Sequence, residues 1–184
     1  ITEGANQYAP GKGTPALREA IATHQQRFYG LNPDPDTEVL VTTGATEAIA
    51  ATLLAFIQPD DEVLTFEPFY DSYGAIIGMA GGNHVTAPLL APDFLPDLAE
   101  LENSFSSRTK IVLLNNPHNP TGAVFPEPVL TRIVELAAKY GAIIVSDEVY
   151  EHLTFGVRHI PITSLPGAAE RTITISSAGK TFSF

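Results

Sequence analysis

The chain has 184 residues, a formal net charge of −11, 44% hydrophobic and 17% charged residues, the balance of a globular domain rather than a disordered segment. No apolar run approaches the roughly 20 residues of a spanning helix, and an acidic chain without a Lys/Arg cluster repels a phosphate backbone, so neither a membrane nor a nucleic-acid partner is expected. Cysteine is absent and the five histidines form no i,i+4 pair, which argues against disulfides, thiolate chemistry and a metal site.

In chain order, Thr14-Pro15 starts a helix with Leu17, Ile21 and Phe28 on one face, and Gly30 stops it. A strand is predicted at Glu38–Thr43, followed by a helix from about Thr46 to Ile57. Strands are then expected at Asp61–Phe66, Asn83–Leu90 and Thr109–Asn115. A helix over Pro126–Tyr140, ended by Gly141, precedes strands at Ala142–Asp147 and Thr172–Ser177. Several strands are nearly continuous in Val, Ile and Leu, as in strands covered on both faces. The alternation predicts an α/β fold with a mostly parallel sheet between helix layers. In such sheets ligands gather at the carboxyl ends of the strands.

Four strand ends carry unusual residues. Gly44-Ala45-Thr46 opens a helix, where small residues let backbone N–H groups approach an anion and the helix dipole favours it. Taken alone, these residues are read more simply as a plain N-cap with a permissive glycine. Residues 115–122, Asn-Asn-Pro-His-Asn-Pro-Thr-Gly, fix the backbone so that the Asn119 amide has one direction. That amide either meets a ligand oxygen or caps its own turn, and His118 reads as a loop histidine. Ser146-Asp147-Glu148-Val149-Tyr150 ends a very apolar strand, and a buried carboxylate there needs a cationic partner. A protonated ring nitrogen, a structural ion pair or Mg²⁺ would each serve. Ser176-Ser177-Ala178-Gly179-Lys180-Thr181 ends the last strand with the tail of a phosphate-binding loop, Gly-Lys-Thr. The complete pattern needs glycine at position 174, which is Thr174, so a nucleotide-triphosphate site is poorly supported. Together the four ends hold an anion seat, an amide, a buried carboxylate with a tyrosine three residues on, and a lysine beside serines. These are the parts that hold a phosphorylated pyridine aldehyde and bind its carbonyl as a Schiff base.

NPHNPTG, SDEVY and SSAGKTFS, in that order and spacing, resemble the class I/II aminotransferases, the fold type I enzymes dependent on pyridoxal 5'-phosphate. NQYAPGKGTPALREAIA extends the resemblance to essentially the whole chain. GATEAIA, EPFYDSY and DEVYEHL look most like the kynurenine/glutamine, methionine and N-succinyl-diaminopimelate aminotransferases. The resemblance implies that residues 1–184 are the three-layer αβα, cofactor-binding large domain, with both chain ends cut. The N-terminal arm and the C-terminal small domain would then lie outside the chain, as would a phosphate-binding arginine and a substrate-carboxylate arginine.

Residue by residue, the resemblance assigns the Schiff base and proton transfer to Lys180, and the pyridine nitrogen to Asp147. Asn119 and Tyr150 would bond the ring's 3-oxygen, and Tyr70, or less readily Phe69, would stack on the ring. Ala45, Thr46 and Ser177 would hold the phosphate, Gly44 would supply the bend, and Tyr8 would reach the phosphate of a partner subunit. The implied protein is a cytoplasmic homodimer acting on an amino acid and a 2-oxo acid. A C–S β-lyase would use the same residues, and an aminotransferase-like regulator would need a basic DNA-binding domain upstream.

Overall fold

The computed structural model describes residues 2, 4 and 8–183, so Asn6 and Gln7 of the N-terminal motif lie outside it. Contacts divide the chain into two compact units, 1–43 and 44–184.

In the first unit, α1 (Pro15–Tyr29) begins with proline and ends at Gly30, whose φ of 72° is left-handed. The expected apolar face is not the buried one: Leu17 and Phe28 are 46% and 43% exposed. The buried residue of α1 is Arg18, which bonds the Gly13 and Pro35 carbonyls and pairs with Asp36 at 2.9 Å. A guanidinium with three oxygen partners can be buried at low cost, and it ties the helix to the turn at 34–36. Gly13 is also dictated by its surroundings. Its φ is +91°, and a Cβ would lie 2.6 Å from Val41 Cβ.

The strand expected at Glu38–Thr43 does not form; these residues are turn, irregular chain and a bend. Their β-rich composition is real, but a strand exists only through a ladder of backbone bonds. Among the described backbone bonds, Val41 N donates to Lys12 O at 3.1 Å and Glu38 N to Asp34 O at 2.8 Å, which makes no ladder.

The second unit is built on a six-stranded sheet. Its strands are β1 (Glu62–Glu67), β2 (Asn83–Leu90), β3 (Leu95–Pro96), β4 (Thr109–Asn115), β5 (Ile143–Asp147) and β6 (Thr172–Ile175). The order is β3-β2-β1-β4-β5-β6, parallel throughout except for β3. The period of two sorts the strand side chains between two cores. Leu64, Val112 and Leu114 pack with Leu130 and Ile133 of α4 (Glu127–Tyr140). Val63, Ile111, Leu113 and Val145 pack with α2 (Gly44–Phe56) and α3 (Ser72–Met79). This is the expected three-layer arrangement. Leu64, Ile111, Val112, Leu114 and Ile133 are fully buried, each worth about 1.5–3 kcal/mol before the entropy of ordering is subtracted.

Of the α-helices and strands, three are additions to the sequence reading: α3, β3 and α5 (Ala178–Thr181). α3 is eight residues long, with Tyr73, Ile76 and Ile77 buried, and too uniformly apolar to show a helical period. β3 is a two-residue edge. One expected strand is shortened: β6 stops at Ile175, and Ser177 instead becomes the N-cap of α5 (Ala178–Thr181). No helix of the described residues is long and apolar enough to cross a membrane.

Candidate active site

The parallel register brings three strand ends into one row, with Asn115 opposite Asp147 and Asp147 opposite Ile175. A cavity of about 230 Å³ lies there, at the carboxyl ends of the strands. Ala45 and Thr46 from the first turn of α2 and Lys180 from α5 also line it.

Asp147 ends β5 and is 5% exposed. Its Oδ2 accepts from the Tyr73 hydroxyl at 2.6 Å, and its Oδ1 from the Val149 amide at 3.3 Å. Burial raises its proton affinity above the usual carboxylate range, and the two hydrogen bonds only partly oppose this. Burial and the neighbouring Asp147 charge likewise push the Tyr73 hydroxyl far up, so Tyr73 stays a donor.

Asn119 and Tyr150, 31 residues apart in sequence, meet here, with Asn119 Nδ2 donating to the Tyr150 hydroxyl at 3.4 Å. Asn115 holds both sides of the arrangement. Its Oδ1 accepts from Asn119 N at 2.6 Å, and its Nδ2 donates to the Asp147 carbonyl at 3.0 Å. Lys180 Nζ lies 5.5 Å from the centre of the Tyr150 ring, on the same cavity. Ser177 lines it too, its Oγ accepting from Gly179 N at 3.1 Å, which leaves the hydroxyl hydrogen to donate elsewhere.

Ala45 and Thr46 line the cavity at the start of α2, where first-turn N–H groups lack intrahelical partners. Gly44 precedes them with φ 78°, and a Cβ there would meet nothing within 4 Å, so what glycine contributes is the turn itself. Tyr70 lies on the cavity, edge-on to Tyr73 at 5.6 Å. Phe69 instead packs edge-on against His84 at 4.7 Å, beside the α2–α3 core. Tyr8 belongs to the first unit and its side chain is fully exposed. His118 is buried, bonded to Thr121 Oγ1 at 2.8 Å and stacked on Phe125, which locks the 116–122 turn.

The sequence reading gave Tyr73 and Asn115 no part. Tyr73 carried a signal only as a second tyrosine close after Tyr70 in the Glu67–Tyr73 motif. Asn115 carried another, as a polar residue closing an otherwise apolar strand.

The donor set suits a phosphorylated pyridine aldehyde. A buried carboxylate that meets only two neutral donors is short of a cation, and a protonated ring nitrogen provides one. A primary amine, an amide–phenol pair and a helix N-terminus line the same space, groups of the kind that take a carbonyl, a ring oxygen and a phosphate.

A family model described as aminotransferase class I and II matches residues 1–184. The chain belongs to this aminotransferase family. It is 50% identical over 186 residues to the probable N-succinyldiaminopimelate aminotransferase DapC of Mycobacterium tuberculosis, covering 99% of this chain and 47% of that protein. It is 42% identical over 183 residues to the methionine aminotransferase of Escherichia coli, with coverages of 99% and 47%. The solved structure of the M. tuberculosis N-succinyldiaminopimelate aminotransferase superposes with a TM-score of 0.94 at 49% identity, over 97% of this chain and 47% of that one. The aminotransferase chain thus spans about half the length of the relatives it matches. Both relatives are named for amino transfer, which does not favour the C–S lyase or regulator readings.

Proposed function

We propose that the protein carrying these residues transfers an amino group from an α-amino acid to a 2-oxo acid, with pyridoxal phosphate seated in the cavity at the ends of β4, β5 and β6. The observation that carries this reading is Asp147, a buried carboxylate on the wall of the space that Lys180 also lines. When bound, the cofactor supplies an electron sink conjugated to the substrate's α-carbon. Asp147 holds a proton on the ring nitrogen by its charge, and Tyr73 and Val149 hold Asp147 in place. Asn119 and Tyr150, which meet at 3.4 Å, would donate to the ring oxygen. Tyr70 covers one face of the ring and keeps water from it.

The N–H groups at Ala45 and Thr46, the Thr46 hydroxyl and the Ser177 hydroxyl hold the phosphate, with Gly44 turning the chain toward it. The Lys180 amine would hold the cofactor through its carbonyl carbon, and its Nζ is the group that would accept the proton from the substrate's α-carbon. Residues 1–184 act as the cofactor-binding large domain, and the rest of a longer protein supplies the substrate-carboxylate arginine. Tyr8, exposed in the first unit, reaches the phosphate site of a second copy in a cytoplasmic homodimer.

The test is borohydride reduction of the full-length protein loaded with pyridoxal phosphate, followed by peptide mass spectrometry. The pyridoxyl adduct is expected on Lys180. An adduct on Lys12, Lys110 or Lys139 overturns the assignment. A panel of amino acids with 2-oxoglutarate as acceptor, read by 2-oxo acid formation, tests the reaction class.

A further inference from the structure

Glu148 follows Asp147 directly and is also buried, at 2% exposure, but it is not on the cavity. Its Oε2 accepts from His159 Nε2 at 2.8 Å, and its Oε1 from Ser146 Oγ at 2.8 Å and from Ile162 N at 3.3 Å. His159 is itself 3% exposed. Three donors turned toward one carboxyl group describe a carboxylate, and an anion this deep requires a cation in contact. His159 is placed to be that cation. The backbone confirms that this is one unit with the strand end, since Glu148 N donates to Ile175 O at 2.7 Å and Asn116 N to Asp147 O at 3.0 Å.

We propose that Glu148 and His159 are positioning residues for Asp147, a buried carboxylate–imidazole pair that lets Glu148 stand beside Asp147 with less repulsion than an unpaired carboxylate would exert. This rests on the proposed function of Asp147 as the partner of a ring nitrogen. The Glu148 charge adds to the rise that burial gives the proton affinity of Asp147, and a proton shared from His159 onto Glu148 at 2.8 Å would weaken that influence. The pair also pins Ile162 N to the same carboxylate, so the chain leaving the site and the strand entering it share one anchor. The other titratable groups around Asp147 are Tyr73 from α3, Tyr150 from its own segment and Lys180 from α5, and none of them contacts Glu148 in a described hydrogen bond.

The test is a double-mutant cycle in the full-length, cofactor-free protein, with ¹³C-labelled aspartate carboxyls and the Asp147 signal assigned by its loss in Asp147→Asn. His159→Gln leaves Glu148 charged and uncompensated, and is expected to raise the Asp147 titration midpoint by about one unit. Glu148→Gln/His159→Gln removes both charges and is expected to return it to the unsubstituted value. The dissociation constant of pyridoxal phosphate, by equilibrium dialysis, should rise roughly tenfold in the single variant and recover in the double. A double variant as impaired as the single, or worse, overturns the proposal and reduces the pair to packing.

Should His159→Gln fail to fold, Glu148→Gln decides. Its Asp147 midpoint is expected to fall or stand still, and a rise overturns the proposal. Failure of the unsubstituted protein to bind pyridoxal phosphate would strike the proposed function instead, while the Asp147 titrations would still read the pair.

Discussion

Asp147 and Glu148 are consecutive, chemically alike and both buried, yet their surroundings differ. Glu148 has three donors, one of them an imidazole, and lies away from the cavity. Asp147 has two neutral donors and lies on it. A saturated buried carboxylate is a finished contact that holds chain segments together. An undersaturated one, with its proton affinity raised, is the kind of group a proposed ligand's positive charge would complete. Sequence position cannot separate the two; the count and charge of their partners can.

The comparison is broken most severely at Lys180. Lys180→Ala is expected to lower 2-oxo acid formation by at least about 10³-fold, because it removes both the anchoring amine and the proton acceptor. Retention of a tenth of the activity, with unchanged circular dichroism, would falsify its role.

Asp147→Ala is next, with an expected loss of roughly 10²–10³-fold in kcat and a milder loss for Asp147→Glu. The same residue has an opposite effect on the cofactor-free protein. Its folded-state proton affinity is raised, so its favourable contribution is fully present below the unfolded-state pKa and is lost as pH rises through the folded-state value. Each unit of that rise corresponds to about 1.4 kcal/mol. Denaturant unfolding of cofactor-free Asp147→Asn should therefore lose less stability than the parent between acidic and neutral pH. Identical pH profiles would mean that Asp147 is not held in the unfavourable state its burial indicates.

Tyr73→Phe sharpens the contrast by removing one of the two donors from Asp147. Loss of this buried bond should destabilise the fold by about 1–2 kcal/mol, raise the Asp147 titration midpoint further and lower kcat about tenfold. A kcat unchanged beside a raised midpoint would separate Tyr73 from catalysis.

The smallest effect is expected at Ser177. Ser177→Ala removes a helix cap, worth about 0.5–2 kcal/mol, and one proposed phosphate donor. Affinity for pyridoxal phosphate should fall several-fold, by about 1 kcal/mol, while affinity for pyridoxal without its phosphate stays put. Equal losses for both ligands would assign Ser177 to capping alone.

Much of the second unit was legible because its signals are local. The runs at 109–115 and 142–147 are too apolar and β-branched for anything but covered strands, and Gly141 ends α4 in the left-handed turn that glycine adopts most readily. The first unit was less legible. Leu17, Ile21 and Phe28 have helical spacing, but spacing tells only which residues share a side, and burial fell to Arg18 once Asp36 and two carbonyls came within reach. Residues 38–43 have strand composition without strand bonding, because a ladder belongs to two segments and composition to one.

The candidate site divides the same way. The sequence by itself determined which chemical groups are available: an amine at 180, carboxylates at 147 and 148, an amide at 119 and a phenol at 150, each just after a strand, where a parallel sheet presents its ends. Only the tertiary structure decided that Asn115 and Asp147 share a row, that Tyr73 rather than a charged group meets Asp147, and that His159 meets Glu148. These pairings join residues 11 to 74 positions apart. They depend on sheet register and on the depth of burial, where a charge is stable only against a partner in contact, and neither quantity exists until the strands have aligned and water has been excluded.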